Sequence, residues 1–248
     1  MTRTASKLSP EDFARLYERF NAPVCKFDCG KKCAPLNGGA PVCCTTQDAV
    51  PVVHKAEFRL LQSRTDLWKR FRPYDAPTRK IVSELTSSSC AIECKGAAFC
   101  ERHNRTIACR AFPFFPYVTR EREVLGLSVY WIFEDRCWMM SNMRLVEQRF
   151  IGECLDTWDA IFARDNEEWQ TYVEYSATMR RIFSRWCRFI PVLDRDAKLL
   201  LVDPATAEVR RGRADEYPKY GPFRSAKAYR RAIRVAGGEV PPEGLAPA

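Results

Sequence analysis

The chain has 248 residues, 46% of them apolar, with 40 Lys and Arg against 31 Asp and Glu for a net charge of +9. That apolar fraction suffices for a globular core, and the length admits one large domain or a domain with an extension. The longest apolar run, near Val129 to Phe133, is too short to cross a bilayer, and MTRTASKLSPEDF lacks the apolar stretch of a secretory signal, so a cytoplasmic chain with reduced thiols is expected.

Ser9 and Pro10 open a predicted helix, as N-cap and first helical residue, and Phe13, Leu16, Tyr17 and Phe20 recur at helical spacing until Asn21-Ala22-Pro23 stops it. Residues 24–50 read as a long irregular segment broken by Gly30, Pro35, Gly38-Gly39 and Pro41, of a length that calls for something bound to supply order. Residues 54–71 read as a helix burying Phe58, Leu60-Leu61, Leu67-Trp68 and Phe71, and 90–109 as irregular. A strand is expected over 124–133 and helices over 141–163 and 166–190, the last with Trp169, Tyr172, Val173, Met179, Ile182, Phe183 and Trp186 as its core face. AKLLLVDPATAEVRR predicts a hairpin around Pro204-Ala205-Thr206, and Ser225 caps a basic helix ended by Gly237-Gly238. PPEGLAPA reads as a disordered tail.

Nine of the twelve cysteines fall between Cys25 and Cys109. One group holds Cys25, Cys29, Cys33 and the adjacent Cys43-Cys44; the other holds Cys90, Cys94, Cys100 and Cys109. Clustered thiols in a reducing compartment favour a shared metal over disulfides. No C-x-x-C pair of the usual zinc ribbons occurs, and the spacing fits neither common ferredoxin pattern. In an extended chain the side chains of Cys43 and Cys44 point to opposite sides, so either one alone is a ligand or each serves a different centre.

PVCC at 41–44 followed by CERHNRTIACRAFPF at 100–114 resembles the YkgJ-like cysteine-cluster proteins, the zinc- or iron-chelating CxxCxxCC family. Their pattern runs from a cysteine cluster ending in CC, across a helical spacer, to C-R-x-F-P-F. Here Cys109, Arg110, Phe112, Pro113 and Phe114 match that ending, Arg105 matches a family arginine, and Cys137 stands for a further downstream cysteine. The match covers roughly residues 25–137. It departs from the family in its C-x3-C-x3-C-x9-CC cluster, in Thr106 where a proline is usual, and in Trp138 after Cys137. The resemblance implies a metal centre, iron–sulfur or zinc, without an agreed reaction. A related branch, the flagellin lysine methylases, has a similar cysteine layout with an iron–sulfur cluster and a longer architecture.

The ligand pool expected from these readings is Cys29, Cys33, Cys43, Cys44, Cys90, Cys94, Cys100, Cys109 and Cys137, with Arg105 and Arg110 as cations beside a cofactor. Phe112, Phe114 and Phe115 would shield it from water. With only His54 and His103 in the chain, all-thiolate ligation is implied, and iron–sulfur is favoured over zinc because the ligands are dispersed and numerous. His54 reads as structural, His103 as a surface or capping residue or a further ligand. Cys154 and Cys187 read as buried, inert thiols, and Glu167-Glu168 as the acidic first turn of a helix. No Walker, GxGxxG, HExxH or GxSxG motif is present.

Residues 176–234 carry 15 Lys and Arg against 6 Asp and Glu, so the basic character belongs to the C-terminal third. An acidic protein partner is a possible match, with nucleic acid not favoured over a solvated face. The expected fold is mainly α with a small β element, organised as an irregular cysteine-rich metal-binding core packed on helices. Its expected layout is a cysteine-cluster domain over 1–140, a helical basic region over 141–236 packed on it, and a tail over 237–248. The favoured function is a metal- or cluster-binding accessory protein. An iron–sulfur enzyme modifying a protein or peptide, and a nucleic-acid-binding module with structural zinc, are the alternatives.

Overall fold

The structure, a computed structural model, describes residues 8–45, 47 and 49–240. The helix at the start is built as its sequence requires. In α1 (Pro10–Arg19) the Ser9 hydroxyl accepts from the Asp12 N–H and the Asp12 carboxylate accepts from the Ser9 N–H, closing a reciprocal cap. Phe13, Leu16 and Tyr17 are buried along one face, and Phe20 just beyond its end is buried too.

The segment 54–71, expected as one helix, is divided. It holds the end of strand β1 (Val52–His54), helix α2 of the core (Lys55–Arg64) and strand β2 (Trp68–Arg70). His54 caps that helix, its Nδ1 accepting from the Ala56 N–H at 3.0 Å. Helix α3 (Ala76–Ser83) buries none of its residues, and strand β3 (Ser89–Cys94) runs through what read as irregular chain. β3 is the middle of a three-stranded antiparallel sheet, with Val53 opposite Cys90 on one side and Trp68 opposite Cys94 on the other.

The second sheet has five antiparallel strands in sequential order: β4 (Phe114–Val118), β5 (Val124–Val129), β6 (Ile190–Leu193), β7 (Leu199–Val202) and β8 (Val209–Arg211). β7 and β8 are the hairpin expected from the sequence, whereas β6 lies at the end of a stretch expected as helix. The helix over 141–163 begins late, as α4 (Gln148–Phe162), after two 3-10 turns; α5 (Asn166–Arg185) follows, and α6 (Ala226–Val235) is the Ser225-capped basic helix. α5 is tied to β4, where Ser176 Oγ accepts from the Val118 N–H at 3.0 Å and Arg180 donates to the Val118 carbonyl at 2.7 Å.

Two features of the expected fold are therefore overturned. Among the described residues the chain is a mixed α+β fold with two antiparallel sheets, not a mainly α fold with a small β element. Its core is aromatic and aliphatic rather than an irregular cysteine cluster. Phe114, Phe115, Phe150, Met179, Phe183, Ile190 and Val192 pack between the five-stranded sheet and helices α4 and α5; Cys25, Cys33, Cys90 and Cys137 join the core as single buried residues, and Cys29, Cys94 and Cys109 pack against it. The reason lies in the strands. They are three to six residues long, and β4 and β6 carry Pro116 and Pro191. A strand buried on both faces is a continuous apolar run without alternation, and proline argues against a central strand. Of the tail expected over 237–248, residues 241–248 lie outside the described residues.

Candidate metal centre

The cysteines are positioned by short turns. Cys29 precedes and Cys33 ends a single helical turn over 30–33, so the C-x3-C spacing sets both on one face. Gly30 in that turn admits close packing: a Cβ there would sit 2.7 Å from Pro41 Cγ. This contact brings the 3-10 turn over Val42–Cys44 against the first turn. Asn37 extends the cluster to the downstream segment, its Nδ2 donating to the carbonyls of Cys33 at 2.9 Å and Arg136 at 3.2 Å, which sets Cys137 nearby.

Cys43 and Cys44 do not lie in extended chain. In the 3-10 turn their sulfurs are 4.0 Å apart, close enough to share a hydrogen bond. That contact holds the Cys44 thiol down at about 7, with help from the Arg105 cation, and pushes Cys43 up. Cys25 and Cys29 also act on one another: Cys29 holds the Cys25 thiol down at about 7, although Cys25 Sγ itself donates to the Phe27 carbonyl at 3.1 Å, and Cys29 is pushed up by Cys25, by burial and by the charges of Cys137 and Cys33. Of the Cys43-Cys44 pair, Cys44 is thus the readier to ionise, and the thiolate is the form that binds metals.

The electrostatic neighbourhoods fall on two sides of the Cys43-Cys44 pair. Cys43 feels Cys137 and Cys33, as does Cys29; Cys137 is pushed up to about 12 by burial and by Cys33. On the other side, Cys100 is raised by burial and by the charges of Cys44 and Cys94. Cys109, pushed up to about 12 chiefly by burial, feels Cys44 and Cys94 as well. Cys25, Cys29, Cys33, Cys43 and Cys137 therefore form one group and Cys44, Cys94, Cys100 and Cys109 another. Cys33, which also feels Cys44, connects them.

Cys90 is not brought into either group. It is buried in β3, and its charged neighbours are Arg70, Lys55 and Glu57. Cys25, absent from the expected ligand pool, belongs with the first group. All twelve cysteines are free thiols. Cys154 is buried as expected, but Cys187 is exposed, because it lies beyond the C-terminal end of α5 in a left-handed conformation at φ 50°.

Arg105 stands by the second group: it helps hold the Cys44 thiol down and offsets a small part of the rise at Cys100 and Cys109. Arg110 does something else. Its guanidinium donates to the carbonyls of Phe20, Tyr17 (3.4 Å), His103 (2.7 Å) and Arg105 (3.1 Å), and stacks 4.4 Å from the Tyr17 ring. It fastens α1 to the loop ahead of Cys109. Phe114 and Phe115 belong to the core of the large sheet, while Phe112 faces a cavity with Tyr130 and Phe133. His103 lines a separate shallow hollow with Arg64 and Arg110. In the C-terminal third many cations are already paired: Arg188 with Glu134 at 2.9 Å, Arg195 with Asp156 and Asp159, Arg210 and Arg213 with Glu216.

Among the described residues, no three His, Cys, Asp or Glu side chains are drawn together closely enough to hold a metal ion. Cys43 and Cys44 stand as one close pair, with the other thiols in electrostatic reach. The chemistry of the donor set still fits a thiophilic centre: sulfur only, with Cys25, Cys33 and Cys137 buried and Arg105 to offset negative charge.

The cavity beside these thiols measures about 530 Å³, and Cys43 and Cys109 form part of its wall. It also receives Glu168, Tyr172 and Tyr175 from α5 and Tyr130 from the turn after β5. Burial pushes the Glu168 carboxyl up to about 7, with the charges of Asp165 and Glu57 adding to the rise. The sequence placed Glu168 in an ordinary acidic first turn; its enclosure depends on how α5 packs, which no local pattern displays. Among the described residues no helix is long and apolar enough to cross a membrane. Comparison with protein-family models, with curated proteins and with solved structures finds no match to the chain.

Proposed function

We propose that this protein binds a thiophilic metal centre, an iron–sulfur cluster in preference to zinc, through cysteines of its two thiol groups, in an accessory or metal-handling role. The observation that carries the reading is the convergence of thiols far apart in sequence. Cys29, Cys33, Cys43 and Cys137 come within electrostatic reach on one side, and Cys44, Cys94, Cys100 and Cys109 on the other. One thiol in each group, Cys25 and Cys44, is held down at about 7, and sulfur is the donor type that either centre uses, although no three of these side chains are drawn together among the described residues. The C-R-x-F-P-F resemblance to the YkgJ-like proteins points the same way. A second reading, an iron–sulfur enzyme acting on a protein or peptide, is favoured by the cavity whose wall includes Cys43 and Cys109.

Anaerobic purification of the full chain tests the proposal. A brown protein with broad visible absorption, and iron and sulfide in matching amounts, is the expected result. Stoichiometric zinc in a colourless protein would keep the thiol site and replace the cluster. Protein free of both metals after anaerobic reconstitution would overturn it.

A further inference from the structure

The cavity contains one feature that the thiols do not explain. Glu168 lines it, and its carboxylate has no hydrogen bond or ion pair among the described residues. The charged groups acting on it, Asp165 and Glu57, are both negative. Glu168 is partly buried and lines the cavity, so its carboxylate is available there to pair with a positive charge.

The walls around it are aromatic. Tyr130, Tyr172 and Tyr175 line the cavity together with Phe112 and Phe133. The rings are held by one another: Tyr130 and Tyr175 meet edge to face at 5.4 Å, Phe112 stacks on Tyr130 at 6.4 Å, and Phe112 meets Phe133 at 5.0 Å. Aromatic faces carry negative charge density and attract cations, most strongly where water is excluded. Tyr74 and Ile81 near α3 and Ile132 remain exposed at the cavity, giving it an apolar rim.

A lone carboxylate within an aromatic box and an apolar rim are complementary to one kind of molecule. We propose that this cavity is a binding site for a compact organic ammonium cation bearing apolar substituents, with Glu168 as its counter-ion and the rings of Tyr130, Tyr172 and Tyr175 as its cage. The volume suits a ligand of a few to a dozen heavy atoms, and such sites combine apolar walls with few polar groups. The site does not depend on the metal reading. Bound there, the cation would lie against Cys43 and Cys109, one thiol from each group.

Calorimetric titration of the full chain with choline, n-butylammonium and 3,3-dimethylbutan-1-ol tests this, the last being the uncharged isostere of choline. Saturable one-to-one binding of at least one cation is expected, at least tenfold tighter than any binding of the neutral alcohol. In Glu168→Gln, which preserves shape and removes the charge, the affinity should fall at least tenfold. Tyr175→Leu should weaken binding while leaving Glu168 in place. Failure of both cations to bind, or a neutral alcohol that binds as tightly as the tighter cation, would overturn the proposal without recourse to a variant. Metal content, measured on the same samples, should be unchanged by Glu168→Gln, which keeps failure here distinct from failure of the thiol site.

Discussion

Replacing Glu57 by glutamine and, separately, by alanine probes the joint that holds the second thiol group to the rest of the molecule. Glu57 is 3% exposed, and one of its oxygens accepts from both the Tyr17 hydroxyl and the Ile107 N–H, each at 2.7 Å. It thereby ties α1, the helix over Lys55–Arg64 and the turn of Ile107–Ala111 that carries Cys109. Alanine leaves two buried donors without an acceptor, at about 1–3 kcal/mol each, and opens a void besides. A loss of about 3–5 kcal/mol follows, large against the stability of an ordinary domain. Glutamine retains an acceptor and isolates the charge. Burial raises the Glu57 carboxyl to about 7 from its usual 4.5. Because the folded form holds the proton more tightly than the unfolded form, stability is greatest below the unfolded value and falls as pH climbs from about 4.5 to 7. The cost of the buried charge, on the order of 3 kcal/mol, is fully present above that window. Urea denaturation at pH 5 and pH 8 measures it. The native protein should lose stability between the two, and Glu57→Gln should lose clearly less. Equal losses in the two proteins would refute the assignment of this charge to Glu57, and a near-neutral Glu57→Ala would refute the joint.

Asp12 should show the opposite sign. Hydrogen bonds from Arg164, from the Ser9 N–H and from Arg15 hold its carboxyl below the usual range, so its contribution is present above the unfolded value near 4 and lost as pH falls. Asp12→Asn should cost on the order of 1 kcal/mol at neutral pH, both arginines being substantially exposed, and should flatten the acid limb of the stability curve. In the large sheet, a Cβ on Gly126 would collide with the Leu193 carbonyl and meet Val192 Cγ1 at 3.0 Å, where β5 and β6 are joined. Gly126→Ala should therefore destabilise by about 1–3 kcal/mol, read as a lower thermal midpoint; an unchanged midpoint would show that the two strands can separate freely there.

Parts of this architecture can be read from the sequence because they depend on local chemistry. The Ser9-Pro10 start of α1, the hairpin over 199–211 and the Ser225 cap each use residues within a few positions of one another. The small sheet is different. β1 and β2 each hold three residues, and both are defined by pairing with β3, some 20 to 40 positions away in sequence. Nothing in VVH or WKR alone distinguishes a strand from the ends of the helix between them. The thiol groups were legible as residue types but not as partners. C-x3-C spacing sets Cys29 and Cys33 together only on a helical turn, and the Cys43 and Cys44 sulfurs come within 4.0 Å of each other because the chain turns there instead of extending. Cys90 was grouped with Cys94 by spacing, yet in β3 it lies four residues along an extended strand, about 13 Å away. The sequence pattern makes Arg110 a cation for the centre; its donors go to backbone carbonyls, of His103 nearby and of Phe20 far off in the chain.

The most direct test of the thiol site is the metal content of single serine variants of the full chain, purified anaerobically and compared at equal protein concentration. Metal or cluster should fall sharply in Cys43→Ser, Cys44→Ser and Cys109→Ser, and remain at the native level in Cys90→Ser and Cys154→Ser, whose thiols stand apart from both groups. Native content in all five variants, or loss in Cys90→Ser equal to that in Cys109→Ser with both proteins folded, would contradict the account.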